Sequence, residues 1–91
     1  MRSRPRTDAT HAAIVSALRA CGASVVSLAG LGDGTPDLLV GYRGHDRLLE
    51  VKAAHGRLRA TQLEWHARWA GRRVVVVRCV DEALEAVGVL R

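Results

Sequence analysis

The sequence predicts a small α/β domain with the element order αβββαβα, a mixed sheet with flanking helices. Three observations predict it. Apolar residues recur at helical spacing from Ile14 to Cys21. Short apolar runs bounded by Gly and Pro lie between Ser24 and Ala53, the pattern of strands. A second helical stretch then leads into Val74–Val77, an uninterrupted apolar run that reads as a strand buried on both faces.

A chain of 91 residues forms one modest core and no second one. Hydrophobic residues make up 48% and charged residues 25%, which argues against disorder. With two Trp, one Tyr and no Phe, the core must be built from Val, Leu, Ile and Ala.

Residues 1–6 carry Arg2, Arg4 and Arg6 around Pro5 and read as a flexible basic arm able to touch a phosphate backbone. Residues 7–91 make the single domain. Thr7 or Asp8 caps a first helix that Gly22 stops, with Ile14, Val15, Leu18 and Cys21 on one face. His11 continues that stripe one turn earlier, and Asp8 sits a further turn back. Ser24–Leu28 reads as the first strand. A loop with three glycines follows, AGLGDGT, which lacks the spacing of a nucleotide-binding P-loop.

Pro36–Tyr42 and Arg47–Ala53 read as a hairpin around Arg43–Asp46. Side chains alternate, so Leu48, Glu50 and Lys52 share a face. A joining loop of even length places Asp37 opposite Lys52 and Leu39 opposite Glu50. Asp37, Glu50 and Lys52 then converge at one end of the hairpin. A link with His55, Gly56, Arg57 and Arg59 precedes a second helix over Ala60–Ala70, stopped by Gly71. Gln62, Trp65, His66 and Trp69 lie along one side of it; Leu63, Ala67 and Ala70 lie along another. Asp81 caps a last short helix whose Ala83, Leu84 and Val87 face inward.

The net charge is +5, and every positive residue but Lys52 is an arginine. Arginine donates a planar pair of hydrogen bonds that matches phosphate, so the balance suggests a nucleic acid partner. Cys21 and Cys79 have no close spacing to each other or to histidine pairs, and they read as buried free thiols. No apolar run approaches the ~20 residues of a membrane span, and the N-terminus lacks the apolar core of a secretory signal. A cytoplasmic protein without a membrane partner is expected.

Two carboxylates on one strand face raise each other's protonation, and burial raises it further. A hard divalent cation relieves the conflict. Mg²⁺ commonly takes one or two carboxylates, with water and phosphate oxygens completing its shell. A lysine beside such a pair can orient water or stabilise charge on a phosphate. The structural alternative is a salt bridge of Lys52 with Asp37 or Glu50 on a solvated face.

Gly34-Thr35-Pro36-Asp37, Glu50-Val51-Lys52, Gly56-Arg57-Leu58, Gln62, Gly71 and Arg78 together resemble the PD-(D/E)XK nuclease superfamily, and most closely its VRR-NUC branch, the virus-type replication-repair nucleases. The resemblance implies a restriction-endonuclease-like core and Mg²⁺- or Mn²⁺-dependent DNA cleavage. It implies metal ligation by Asp37, Glu50 and the Val51 backbone carbonyl, with Asp8 or His11 as a further ligand. It implies that Lys52 acts on water, that Gln62 supports the site, and that Arg57, Arg59 and the N-terminal arginines hold DNA. Similar minimal members are viral or phage-like, resemble Holliday-junction resolvases and act as homodimers; Trp65 and Trp69 are candidates for the dimer surface or for the core. A replication or repair protein is a further partner to consider. Two departures stand out: Arg59-Ala60 replaces the family's Ser-Pro at the start of the second helix, and Asp8 is shorter than the family's glutamate.

Overall fold

Three helices and a mixed four-stranded sheet occupy residues 6–90, the part of the chain described by the computed structural model, with side chains from Asp8 onward. In chain order these are α1 (Arg6–Ala20), β1 (Ser24–Ser27), a 3₁₀ turn (Ala29–Leu31), β2 (Leu38–Tyr42), β3 (His45–Val51), α2 (Ala60–Arg68), β4 (Val75–Val77) and α3 (Val80–Ala86). The predicted element order is observed. The arm prediction for Arg2 and Arg4 lies outside the described residues; Arg6 already opens α1, so the helix begins two or three residues earlier than a cap at Thr7 or Asp8 would set it.

The sheet order is β1-β2-β3-β4, antiparallel except for the parallel β3–β4 pair. A parallel pair needs a crossover, and α2 supplies it. The β2–β3 turn is Arg43-Gly44, both in the left-handed region with φ of +50° and +82°. A two-residue hairpin turn requires that geometry. The ladder consequently starts at Tyr42–His45 and places Leu39 opposite Leu48 and Leu38 opposite Leu49. This corrects the expected register, which set Leu39 against Glu50 and Asp37 against Lys52. His45 and Asp46 belong to the strand rather than to the turn, so the pairing slides by two residues. A slide of two leaves every side chain on its original face.

One face of the sheet carries the core. Leu38 and Val40 of β2, Leu49 and Val51 of β3 and Val77 of β4 pack with Ile14 and Leu18 of α1 and with Ala83 and Val87 of α3. Each fully buried Leu or Ile contributes about 1.5–3 kcal/mol. Gly22, at φ +91°, ends α1 as expected, with the Ala23 amide bonded to the Leu18 carbonyl at 3.0 Å.

Several expectations are corrected here. Cys21 and Cys79 are free but exposed, because α1 ends before Cys21 could join its buried stripe and Cys79 stands at the start of α3. Asp81 lies inside α3 and does not cap it. The valine strand is an edge strand of three residues, with Val75 and Val76 only half-buried. Helix α2 stops at Arg68, short of the predicted Ala70, where Trp69 leaves the helical conformation. No helix among the described residues is long and apolar enough to cross a membrane.

Candidate functional site

The loop into β2 is fixed beneath the start of α2. Gly34 is buried at φ +82°, and a Cβ placed on it would overlap the Thr61 carbonyl group. Only a glycine allows this approach. Pro36 is fully buried, and the Asp37 carbonyl accepts from the Leu28 amide at 2.8 Å. These contacts set Asp37 just ahead of β2.

Beyond Leu38–Leu49 the β2–β3 ladder ends, and the next inward-pointing amide of β3 needs an acceptor. The Asp37 carboxylate provides it: Oδ2 accepts from the Val51 amide at 2.8 Å. The amide and carbonyl of one strand residue leave the strand on the same side, so the Val51 carbonyl also faces the Asp37 side. On the other side, the Lys52 amide bonds the Val77 carbonyl at 3.0 Å and holds the end of β3 against β4.

Glu50 projects from β3 on the face opposite the core and is only 1% exposed. Its Oε1 lies 3.2 Å from His66 Nε2, and its Oε2 accepts from Gln62 Nε2 at 3.4 Å. Gln62 is itself buried, and its Oε1 accepts from the Arg59 amide at 2.8 Å. One glutamine thus caps α2 and braces Glu50, so the helix start keeps a cap although Arg59 stands at its N-cap.

Burial pushes the Glu50 carboxyl up to about 8, reinforced by a hydrogen bond to Asp37 and by its charge, against the opposing charges of Lys52 and Arg59. Burial pushes His66 below its usual value, with Lys52 adding to the effect. The pair is therefore held neutral, despite the 3.2 Å separation that an ion pair would also show. Among the described residues Lys52 forms no ion pair with Asp37 or Glu50, so the salt-bridge alternative is not what this face contains.

The structure brings Asp37, Glu50, Val51 and Gln62 into direct contact, with Lys52 and Arg59 near enough for their charges to act on Glu50. It does not bring Asp8 or His11 in as a further ligand. No group of three or more His, Cys, Asp or Glu side chains among the described residues is placed to hold a metal ion. The physical reason is that α1 packs on the core face, while Glu50 projects from the other. Arg57 is exposed on the link, and the arginines of residues 1–5 lie outside the described part.

Two further residues shape the site. Arg78 donates through Nη1 to the Ala53 carbonyl at 2.6 Å and to the Gly56 carbonyl at 2.8 Å, clamping the link that carries Arg57 and Arg59. His66 was missed as a site residue by sequence reasoning, although its spacing of four from Gln62 on one side of α2 was the available signal. Two surface depressions, of about 510 and 590 Å³, lie on the Trp65–Trp69 side of α2, and neither is lined by Asp37, Glu50 or Lys52. Comparison with family models, curated proteins and solved structures finds no match to the chain.

Proposed function

We propose that the chain is a metal-dependent, structure-selective DNA endonuclease of the PD-(D/E)XK type, related to the VRR-NUC branch and possessing a Holliday-junction resolvase-like activity. One observation carries the reading: two carboxylates from neighbouring strand ends meet around a Glu50 that is almost wholly buried, beside a lysine paired with neither. Such an arrangement is costly for folding alone. The order of elements, with an antiparallel hairpin followed by a helical crossover to a parallel strand, supports the same reading.

The donor set suits Mg²⁺ or Mn²⁺. Asp37 and Glu50 would hold the ion with the Val51 carbonyl, within the one or two carboxylates that Mg²⁺ commonly takes. When bound, the ion supplies polarisation of the phosphodiester and a more acidic water. The chain's own residues do the rest. Lys52 orients the attacking water and offsets charge on the phosphate oxygens. Gln62 and His66 hold Glu50 in one rotamer, and Arg78 holds the link from which Arg57 and Arg59 reach the flanking backbone. In this reading the protein is intracellular, and a homodimer presents two such sites to a branched substrate of matching symmetry.

The test is incubation of purified protein with four-way junctions, flaps and duplex DNA in Mg²⁺ or Mn²⁺. Cleavage leaving 5′-phosphate ends, lost in Glu50→Gln, is the expected outcome. A second reading is a DNA-binding module that retains the fold without cleaving, or that requires a replication or repair partner to act. The absence of a third metal-binding side chain among the described residues favours it. Junction binding without cleavage in every metal would select it.

A further inference from the structure

The hairpin end of the sheet gathers three arginines on the core face, the face that Glu50 does not use. Leu38, Val40 and Tyr42 share that face in β2, and Arg47 shares it with Leu49 and Val51 in β3. Arg47 stands directly opposite Val40 and diagonal to Tyr42. Extending the β3–β4 register back by two residues from Leu49–Val75 sets Arg73 beside Arg47 on the same face. Arg43, in the turn, folds back over Tyr42, with its guanidinium carbon 5.4 Å from the ring centroid. Arg43, Arg47 and Arg73 thus surround one corner of the sheet. Among the described residues none of the three makes an ion pair or a side-chain hydrogen bond. The nearby Asp46 lies on the opposite face, with its Oδ1 over Gly41 of β2.

This corner is costly to build. Arg47 Nε is buried without a hydrogen-bond partner, and buried donors are nearly always paired. Burial, then the charges of Arg72 and Arg73, pushes Arg47 below the usual guanidinium value. Arg43 holds φ +50° at a turn position that suits Asn, Asp or Gly far better than an arginine. Backbone strain of this kind clusters at functional positions. One ligand relieves the repulsion and supplies acceptors to all three side chains. A phosphate carries the opposite charge and presents oxygens in several directions, each matching a guanidinium fork. A carboxylate has only two oxygens and serves one fork.

We propose that Arg43, Arg47 and Arg73 form a phosphate-binding corner that holds the backbone of a nucleic acid. A backbone phosphate fits better than a free phosphate ion. Arg43 and Arg73 are exposed, and neither surface depression is lined by them, so a small ion finds no enclosure there. A polyanion needs none, because each arginine it passes releases condensed counterions. The site stands apart from the nuclease reading and uses neither acid nor Lys52. Arg47 lies three residues, roughly 10 Å, along β3 from Glu50 and points to the other face. The corner therefore holds a stretch of backbone other than the one at the acids.

The experiment is a fluorescence-anisotropy titration of a labelled DNA duplex with the full chain, repeated over a range of salt in the presence of a chelator. Cleavage plays no part in it, so a chain that cuts no DNA in Mg²⁺ or Mn²⁺ sinks the nuclease reading and leaves this measurement intact. The test variant is R43N/R73A. Asparagine suits the positive φ of the turn and position 73 is exposed, so the variant should fold, which circular dichroism checks. It should weaken binding about ten-fold or more at low salt and lower the salt slope by about one to two. The comparison variant R68A/R72A removes the same charge from exposed positions on the α2 side and should change both quantities much less. Inorganic phosphate should compete only weakly against the duplex. The proposal is overturned if the wild type does not bind, or if R43N/R73A keeps its affinity and salt slope. Equal losses in the two variants overturn it too, since net charge alone would then explain binding. Inorganic phosphate that binds the wild type as tightly as the duplex does, and is lost in R43N/R73A, overturns the assignment to a backbone.

Discussion

His66 Nε2 lies 3.2 Å from Glu50 Oε1, so a helix imidazole and a strand carboxyl share one proton across a nearly dry interface. Gln62, one turn earlier on α2, holds the other carboxyl oxygen. The helix therefore reports on the protonation of the strand acid, and the pH dependence of folding follows from it.

Glu50 titrates near 8 in the folded chain, raised from 4.5 first by burial and then by Asp37. An acid raised on folding stabilises fully below its unfolded value, and that contribution is lost as pH rises through about 8. His66 is lowered, so its contribution is full above its unfolded value of 6.5 and is lost as pH falls through the folded one. The two trends oppose each other below 6.5. Above it only the Glu50 loss remains. Urea denaturation in chelator should show stability falling between pH 6.5 and 8 by on the order of 1 kcal/mol per pH unit. Glu50→Gln should abolish that fall; an unchanged slope in the variant would remove Glu50 as its source.

Divalent cation should act on the same acid with the opposite sign. An ion held by Asp37 and Glu50 favours the ionised folded state, so Mn²⁺ should raise the melting temperature more at pH 8 than at pH 6. A gain of about 1 kcal/mol corresponds to roughly 4–8 °C in a domain of this size. Asp37→Asn and Glu50→Gln should each lose the shift and lower cleavage by at least about a hundred-fold, while chelation abolishes it in the wild type. A full Mn²⁺ shift in both variants would place the ion elsewhere.

Much of this arrangement was legible in the sequence, and the exceptions have physical causes. Alternation along residues 47–52 put Glu50 on the face opposite Leu49 and Val51, and those two join the core. The register was out by two because Arg43 adopts φ +50°, a conformation an arginine rarely takes and no spacing rule anticipates. Parity survived that slide, so the faces were right although the partners were not. Asp37 was expected opposite Lys52 in the ladder, but it reaches β3 by taking the Val51 amide where the ladder has ended. The cysteines were misjudged because apolar neighbours in sequence say little about a helix end.

Arg78 should matter more to substrate binding than to the chemical step. Its Nη1 holds the Ala53 and Gly56 carbonyls, and no acid of the site touches it. Arg78→Ala removes two charge-assisted bonds and should cost on the order of 2 kcal/mol of stability. With the link freed, Arg57 and Arg59 lose a fixed origin. The expected result is a several-fold rise in KM with kcat nearly unchanged, and partial recovery in Arg78→Lys. Equal losses in kcat and kcat/KM would instead mean that Arg78 acts in the transition state.

Gly34 tests whether the loop beneath α2 positions the acids or merely connects two elements. Its φ of +82° alone penalises any residue with a side chain by about 1–2 kcal/mol. The Thr61 carbonyl occupies the space a Cβ would need, and backbone cannot yield as a flexible side chain does. Gly34→Ala must therefore push the loop away from α2, and Asp37 lies three residues further on. The expected loss of stability is about 2–4 kcal/mol, measured by urea denaturation. The loss of cleavage should exceed what the unfolded fraction explains, because Asp37 and Glu50 no longer meet. Gly32→Ala provides the comparison: it shares a positive φ, +67°, but nothing lies within 4 Å of its Cβ position. It should lower stability modestly and leave the activity of the folded fraction intact. Equal damage to that activity from both variants would mean that loop strain, and not the approach of Gly34 to Thr61, governs the site.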